Sequence, residues 1–263
     1  MIRAVVNTVP TALLVLVVVG LVVGIVLAGV WAVRRFVPST RDGFDAEVSS
    51  QVLGVVASLF GLLLAFVVVI EFQAFSSAGD NVQAEADDLG AIVRDSYAFG
   101  PAGIYVRETI RDYVRVVVAD EWPLMEDGKE SPAAWERIDG IFTAMQGYKP
   151  SSTSEVAFYE DSVRHLNSVL EARSDRLDSS GSNDLPALIA ALILVGAVVI
   201  LGYATLVGSR STAFHAIGAG AIAVVVGFAL VVLVALQFPF SGGLAIDSQP
   251  FREGPLAPFF SSQ

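Results

Sequence analysis

Residues 9–33 read VPTALLVLVVVGLVVGIVLAGVWAV and contain no charged side chain. The stretch ends at Arg34 and Arg35, and about 20 such residues suffice to cross the ~30 Å hydrocarbon core of a bilayer. A cleaved signal peptide would have an apolar segment of only about 7–15 residues after a basic start. The length of this stretch, and the single charge of Arg3 before it, favour a membrane-spanning helix.

Three further stretches have the same apolar character. Residues 52–70 are apolar apart from Ser58, residues 185–207 contain no charged side chain, and residues 213–236 contain only His215 near one end. Short connections join the first stretch to the second and the third to the fourth, whereas a long segment separates the second from the third. The sequence therefore predicts an all-α fold, with four transmembrane helices in two close pairs and a helical soluble insert between the second and third spans.

The insert is acidic and has the periodicity of helices. Val106, Ile110, Tyr113 and Val117 recur at a spacing near 3.6 residues, which indicates helices with one buried face. Residues 80–184 contain 21 Asp and Glu against 10 Lys and Arg, so they account for the whole formal charge of −11. Such a domain lacks the clustered cations that nucleic acid requires. We predict four segments: spans one and two at 9–72, the acidic domain at 73–184, spans three and four at 185–237, and a C-terminal interfacial tail at 238–263.

The arginines near the spans indicate an orientation. The short connections contain four arginines, Arg34, Arg35, Arg41 and Arg210. The terminal segments contain only two, Arg3 and Arg252. Short cytoplasmic loops are enriched in Lys and Arg. We therefore expect the short connections in the cytoplasm, and both termini and the acidic domain outside. Arg173 and Arg176, on the domain side of the third span, weaken this bias.

Six short stretches along the chain form a recognisable series. They are GLLLAF at 61–66, EADDLG at 85–90, YVRVV at 113–117, EWPLM at 121–125, RSDRL at 173–177 and PFSGG at 239–243. Together they resemble the bestrophin-like family of bacterial membrane proteins. The resemblance implies a multi-pass protein of the bacterial plasma membrane, distantly similar to bestrophins, which are oligomeric anion channels with paired membrane helices around a helical insert. Bestrophins keep that insert in the cytosol, so the expected orientation departs from theirs and no residue roles are transferred.

Motifs of the common enzyme classes are absent from the sequence. It has no GxSxG, HExxH or P-loop, and no GxGxxG after a strand. The chain has no cysteine, and its two histidines, His165 and His215, fall in different segments. We therefore predict a protein that is not an enzyme, with no catalytic, cofactor or metal site. Adjacent residues on a helix point in different directions, so the two carboxylates of a pair such as Asp120-Glu121 do not converge on one site. We therefore expect such pairs on solvated helix surfaces.

The second span has a narrow stripe of small side chains. These recur at i, i+4, i+7 and i+11 and are Gly54, Ser58, Gly61 and Ala65. Small residues let membrane helices approach closely, so the stripe packs either within one chain or at an oligomer interface or pore. In the second interpretation, Phe66 is a candidate hydrophobic constriction and Glu71 a candidate carboxylate ring at the pore mouth.

The spans contain no charged residue near the bilayer centre. Proton-coupled pumps and transporters carry such residues, so a driven transporter is disfavoured, whereas a passive pore and a membrane scaffold remain. The sequence predicts a homo-oligomeric membrane protein that forms or regulates an ion-conducting pore, with the lipid bilayer, further copies of the chain and an inorganic ion as partners. The alternative is a non-conducting scaffold or sensor whose acidic domain binds a protein partner.

Overall fold

The structure, a computed structural model, describes residues 2–36, 46–181, 186–207 and 211–260. Nearly all of these residues are helical, which confirms the all-α prediction. The α-helices of the described residues are α1 (Ile2–Thr8), α2 (Thr11–Phe36), α3 (Ala46–Asp95), α4 (Pro101–Val116), α5 (Trp122–Glu126), α6 (Pro132–Gly147), α7 (Thr153–Gly181), α8 (Ala187–Leu206) and α9 (Thr212–Leu236). The connections that contain Arg41 and Arg210, on which the predicted orientation partly depends, lie outside the described residues.

Four of these helices, α2, α3, α8 and α9, are long and apolar enough to cross a membrane. They correspond to the four predicted apolar stretches. A bilayer offers no hydrogen-bond partner to an exposed peptide group, and a helix satisfies its peptide groups internally. The described chain therefore has the helices of a multi-pass membrane protein.

The chain divides into two units by its internal contacts. The membrane unit comprises Thr8–Ala74 and Asn183–Gln237, and the acidic unit comprises Met1–Asn7, Phe75–Ser182 and Phe238–Gln263. Helix α3 contributes its first part to the membrane unit and its second part to the acidic unit. The residues predicted as a separate interfacial tail belong to the acidic unit.

In the membrane unit, α2 packs mainly against α9 and then against α8. The buried side chains at this junction are small or β-branched: Val26, Val30, Ala204, Ala219 and Ala223. Leu64 of α3 packs separately with Ile193 and Leu233. Small side chains allow the close van der Waals packing that holds helices together in lipid. The arrangement of the spans as two close pairs stays a prediction, because the main contacts of α2 are with α9 and α8.

The core of the acidic unit lies between the second part of α3 and helices α4, α6 and α7. Val106, Ile110, Tyr113 and Val117 are all buried in it, which confirms the helical stripe predicted from their spacing. Helix α6 begins at Pro132, and the Ser131 side chain accepts a hydrogen bond from the Ala134 amide at 3.3 Å. This is the arrangement expected of an N-cap serine followed by proline.

A π-helical turn, Val117–Glu121, joins α4 to α5. The Trp122 amide donates to the Val117 carbonyl, five residues earlier, instead of four. A proline ring within a regular α-helix clashes with the carbonyl four residues before it, and Pro123 lies two residues after the end of this turn. The wider turn lets the chain continue into α5, and π turns of this kind are frequent at functional sites.

The C-terminal segment packs onto the acidic unit through short 3₁₀ turns. Phe240 and Phe251, which belong to the segment predicted as an interfacial tail, are buried in its core. The Trp122 indole donates to the Ile246 carbonyl at 3.2 Å, and the Arg115 guanidinium donates to the Phe259 carbonyl at 2.7 Å. The segment is therefore part of the acidic unit, held by both apolar burial and hydrogen bonds.

Candidate functional site

Four charged side chains and one tyrosine meet in the interior of the acidic unit. They are Glu85 of α3, Tyr113 of α4, Glu121 of the π turn, and Arg173 and Arg176 of α7, and each is fully buried. We call these five residues the buried ionic cluster. An unpaired charge in a protein interior costs several kcal/mol, so the contacts among the five residues decide whether the cluster can exist.

Arg173 binds Glu121 in a two-pronged contact. Its two terminal nitrogens, Nη1 and Nη2, each donate to one carboxylate oxygen of Glu121 at 2.6 Å, and Nη1 also donates to Tyr113 Oη at 3.1 Å. Arg173 Nε has no hydrogen-bond partner among the described residues. The Trp135 ring centre lies 4.7 Å from the guanidinium carbon. The negative face of the indole ring attracts the guanidinium and so offsets part of the cost of the missing hydrogen bond at Nε.

Arg176 joins both carboxylates of the cluster. Its Nε donates to Glu85 Oε2 at 2.7 Å, and its Nη2 donates to Glu85 Oε1 at 3.2 Å and to Glu121 Oε1 at 2.9 Å. The guanidinium carbon lies 5.2 Å from the Trp122 ring centre and 5.8 Å from that of Phe251. The aromatic rings contribute further attraction to the cation and exclude water from the contact.

The cluster is electrically balanced, with two carboxylates and two guanidiniums. Burial lowers the pKa of Arg176, but the carboxylates of Glu85 and Glu121 outweigh it, so the pKa is raised and the side chain stays charged. Burial, followed by the charge of Glu85, raises the pKa of Tyr113 well above its ordinary value. The phenol therefore keeps its proton, and its hydroxyl donates a hydrogen bond to Glu85 Oε1 at 2.5 Å.

All four carboxylate oxygens of the cluster accept hydrogen bonds. The fourth, Glu121 Oε2, accepts from the Ser131 amide at 3.3 Å as well as from Arg173. The contacts cross from α7 to α3, to the π turn and to the start of α6, so the cluster is a fixed junction between these elements. Among the described residues, no group of three His, Asp or Glu side chains is placed to hold a metal ion.

The burial of Glu121 corrects the expectation that the Asp120-Glu121 pair lies on a solvated surface. Asp120 is exposed, whereas Glu121 is fully buried. A signal was present in the sequence, because Glu121 follows Val117 at i+4 and so continues the buried stripe of α4. A charged residue at a core position predicts a buried partner of opposite sign, and here the partners come from α7.

The predicted small-residue stripe of α3 lies on the surface of the single chain. Its four members, Gly54, Ser58, Gly61 and Ala65, are all exposed. No described atom outside the helix backbone lies within 4 Å of a Cβ built on Gly54 or Gly61. The Ser58 hydroxyl donates to the Gly54 carbonyl at 2.8 Å and so needs no partner from another helix. Among the described residues, no other helix therefore packs closely on Gly54 or Gly61, so lipid or a neighbouring copy could cover the stripe.

The structure does not bring the other two candidates onto the same face. At about 100° per residue, Phe66 and Glu71 each lie roughly 110° from the middle of the stripe, on opposite sides. Phe66 is 63% exposed, whereas Glu71 is only 3% exposed within the chain. The burial of Glu71 does not favour its predicted place as a carboxylate ring at an open pore mouth.

These features define a multi-pass α-helical membrane protein with a separate acidic helical unit. A family model, the Bestrophin-like domain, matches residues 20–251, which is nearly the whole chain. The chain therefore belongs to the bestrophin-like family, and this confirms the resemblance inferred from its short stretches. Among curated proteins, none matches the chain.

The buried ionic cluster draws all five of its residues from the stretches that carry the family resemblance. Glu85 begins the stretch at 85–90, Tyr113 the stretch at 113–117 and Glu121 the stretch at 121–125, whereas Arg173 and Arg176 lie in the stretch at 173–177. The residues by which the chain is recognised are thus the ones that meet inside the acidic unit.

Replacing Arg176 with methionine tests the cluster. The change leaves Glu85 buried without its cation, so we expect the free energy of unfolding to fall by about 3–5 kcal/mol. Arg164→Met is the matched control, because Arg164 pairs with Asp161 at the surface and its side chain is 77% exposed. The control should lose at most about 1 kcal/mol. Thermal and denaturant unfolding in detergent measure both, and equal losses in the two variants would contradict the role given to the cluster.

Proposed function

We propose that this protein assembles as a ring of identical subunits in the membrane and forms or regulates an ion-conducting pore. Two observations support the assembly. Only 6% of the most apolar part of α3 is buried within the chain, against 39% of the most apolar part of α9. The small-residue stripe lies on this uncovered helix, and such residues favour close helix–helix contact in lipid.

The family supports the pore itself. The chain belongs to the bestrophin-like family, and the resemblance implies a distant similarity to bestrophins, which are channels. The absence of charge from the middle of the spans fits passive conduction better than driven transport. In this proposal the uncovered face of α3 meets a second copy or borders the central axis, and Phe66 is a candidate constriction beside it.

The acidic unit indicates which ions such a pore would favour. Residues 80–184 carry the whole charge of −11. The buried ionic cluster neutralises itself, so this excess belongs to side chains outside the cluster. Repeated around a ring, it would attract cations and repel anions over about one Debye length, roughly 10 Å at 0.1 M salt. We therefore propose cation preference, in contrast to the anion selectivity of bestrophins.

The competing function is a scaffold or sensor that does not conduct, whose acidic unit binds a protein partner. Its support is the same surface charge, which would suit a basic partner. The two functions differ in what they require of assembly, because a pore needs a closed ring around an axis and a scaffold does not.

The first test concerns assembly. In detergent, we expect light scattering and particle images to show a closed ring for the unmodified protein, and a smaller species for Gly61→Leu because leucine separates the helices. Gly218→Leu is the matched control, since Gly218 of α9 is equally uncovered but lies outside the stripe. A monomeric unmodified protein would overturn the ring, and an unchanged mass for Gly61→Leu would assign the stripe to lipid.

The second test measures conduction. After reconstitution into planar bilayers under a KCl gradient, the reversal potential should lie towards the potassium equilibrium value. The preference should weaken near 1 M salt, where the Debye length falls to about 3 Å. Reversal at the chloride value would contradict cation preference, and an absence of current from verified rings would favour the scaffold.

The third test concerns orientation, which we propose to place the acidic unit outside the cell. The chain has no cysteine, so single substitutions report cleanly. Ser174→Cys, at an exposed position of α7, should react with a membrane-impermeant thiol reagent in intact cells. Ser211→Cys, exposed before α9, should react only after lysis. The reverse pattern would place the acidic unit in the cytosol, as in bestrophins.

A further inference from the structure

A cavity of about 460 Å³ opens between the last turns of α2 and the first turns of α9, within the membrane unit. Its two ends differ in chemistry. Leu27, Val30 and Trp31 line the end that lies deeper in the span, and Arg34 and Arg35 line the end where the apolar stretch of α2 stops. From Leu27 to Arg35 the helix rises about 12 Å, so the cavity runs from apolar to basic over the depth of a lipid headgroup and the start of its chains.

Arg34 is held in a defined position at the basic end. Its Nη1 donates to Thr212 Oγ1 at 2.6 Å, and its Nε donates to His215 Nδ1 at 3.3 Å. His215 is buried, and its other ring nitrogen, Nε2, lies 3.1 Å from the Ala204 carbonyl. With Arg34 donating to Nδ1, the Nε2 nitrogen of the ring is the one that faces the Ala204 carbonyl as a donor. Arg34 Nη2 also donates to the Ser211 carbonyl at 3.3 Å, so three nitrogens fix the guanidinium at the start of α9.

Arg35 adds a second positive charge, at the exposed rim of the cavity. Its guanidinium carbon lies 6.0 Å from the ring centre of Phe36. Within the described part of the chain, no carboxylate forms an ion pair with Arg35. Trp31, one turn earlier, is 67% exposed, and tryptophan is enriched where membrane meets water.

We propose that this cavity binds an anionic phospholipid. The headgroup phosphate lies between the guanidiniums of Arg34 and Arg35, and one acyl chain lies along Leu27, Val30 and Trp31. Guanidinium groups match phosphate oxygens with paired hydrogen bonds, and basic pockets between membrane helices are known to suit lipids of this charge. A free phosphate ion would leave the apolar end unused, and a zwitterionic lipid would bring its own cation to the two arginines. The proposal is independent of the pore, because it depends on α2 and α9 of one chain.

Native mass spectrometry of the delipidated protein in detergent tests the site. Phosphatidylglycerol and phosphatidylcholine with the same acyl chains are titrated separately, and we expect phosphatidylglycerol to bind at least roughly tenfold more tightly, as one charge-assisted contact would give. Arg35→Gln should lose most of that preference without unfolding, since Arg35 is exposed. Arg164→Gln, at an exposed arginine of the acidic unit, is the matched control and should retain it.

Two further arms separate the lipid from other occupants. Trp31→Ala should weaken the binding of both lipids by a similar factor, because both make the same acyl-chain contact. Inorganic phosphate at millimolar concentration should not displace phosphatidylglycerol. Displacement by phosphate would assign the basic end to a free anion and overturn the proposal. Equal binding of the two lipids, or an Arg35→Gln variant identical to the unmodified protein, would overturn it as well.

Discussion

Glu121 shares its two carboxylate oxygens between Arg173 and Arg176, and the acidic unit is organised around that contact. The two arginines are three residues apart on α7, so they face the same side of the helix. A shift of α7 by one residue would turn both guanidiniums away and leave Glu85 and Glu121 buried without cations. Apolar side chains of similar volume could fill the same space with comparable stability. What the ionic contact contributes is specificity, because it permits only one register of α7 against α3 and the π turn.

The membrane unit obeys a different constraint. Its side chains face lipid or one another, and apolar contact with a neighbouring helix gains little over apolar contact with lipid. Close packing therefore depends on shape, as where α2, α8 and α9 meet through alanine and valine. Helix α3 has little of this packing within the chain. Among the four described spans, α3 has the smallest share buried within the chain, so it is the span that another copy of the chain could most readily cover.

The sequence predicted the helices well because the signals for them are local. Continuous apolar length identified four spans, and the spacing of Val106, Ile110, Tyr113 and Val117 identified a buried helical face. The prediction for Glu121 was wrong because a charged residue was assigned to the surface by its type. Glu85 and Arg176 are 91 positions apart in the chain. On α7, Arg173 follows Val163, Leu166 and Leu170 at the spacing of one helix face. A charged residue at such a position was a signal that a buried partner should be sought.

By itself, the sequence determined the all-α fold, the number of apolar spans and the position of the net charge, because each follows from composition and period within a short window. The family also followed from short stretches of sequence. Only the tertiary structure decided which charged residues are buried, that the C-terminal aromatics belong to the acidic unit, and that the small-residue stripe of α3 is uncovered. It also brought Arg34 against Thr212 and His215. These outcomes depend on how residues far apart in the chain come together, which packing and charge balance decide. A periodic pattern can mark a position as buried, but it does not show which distant residue packs against it.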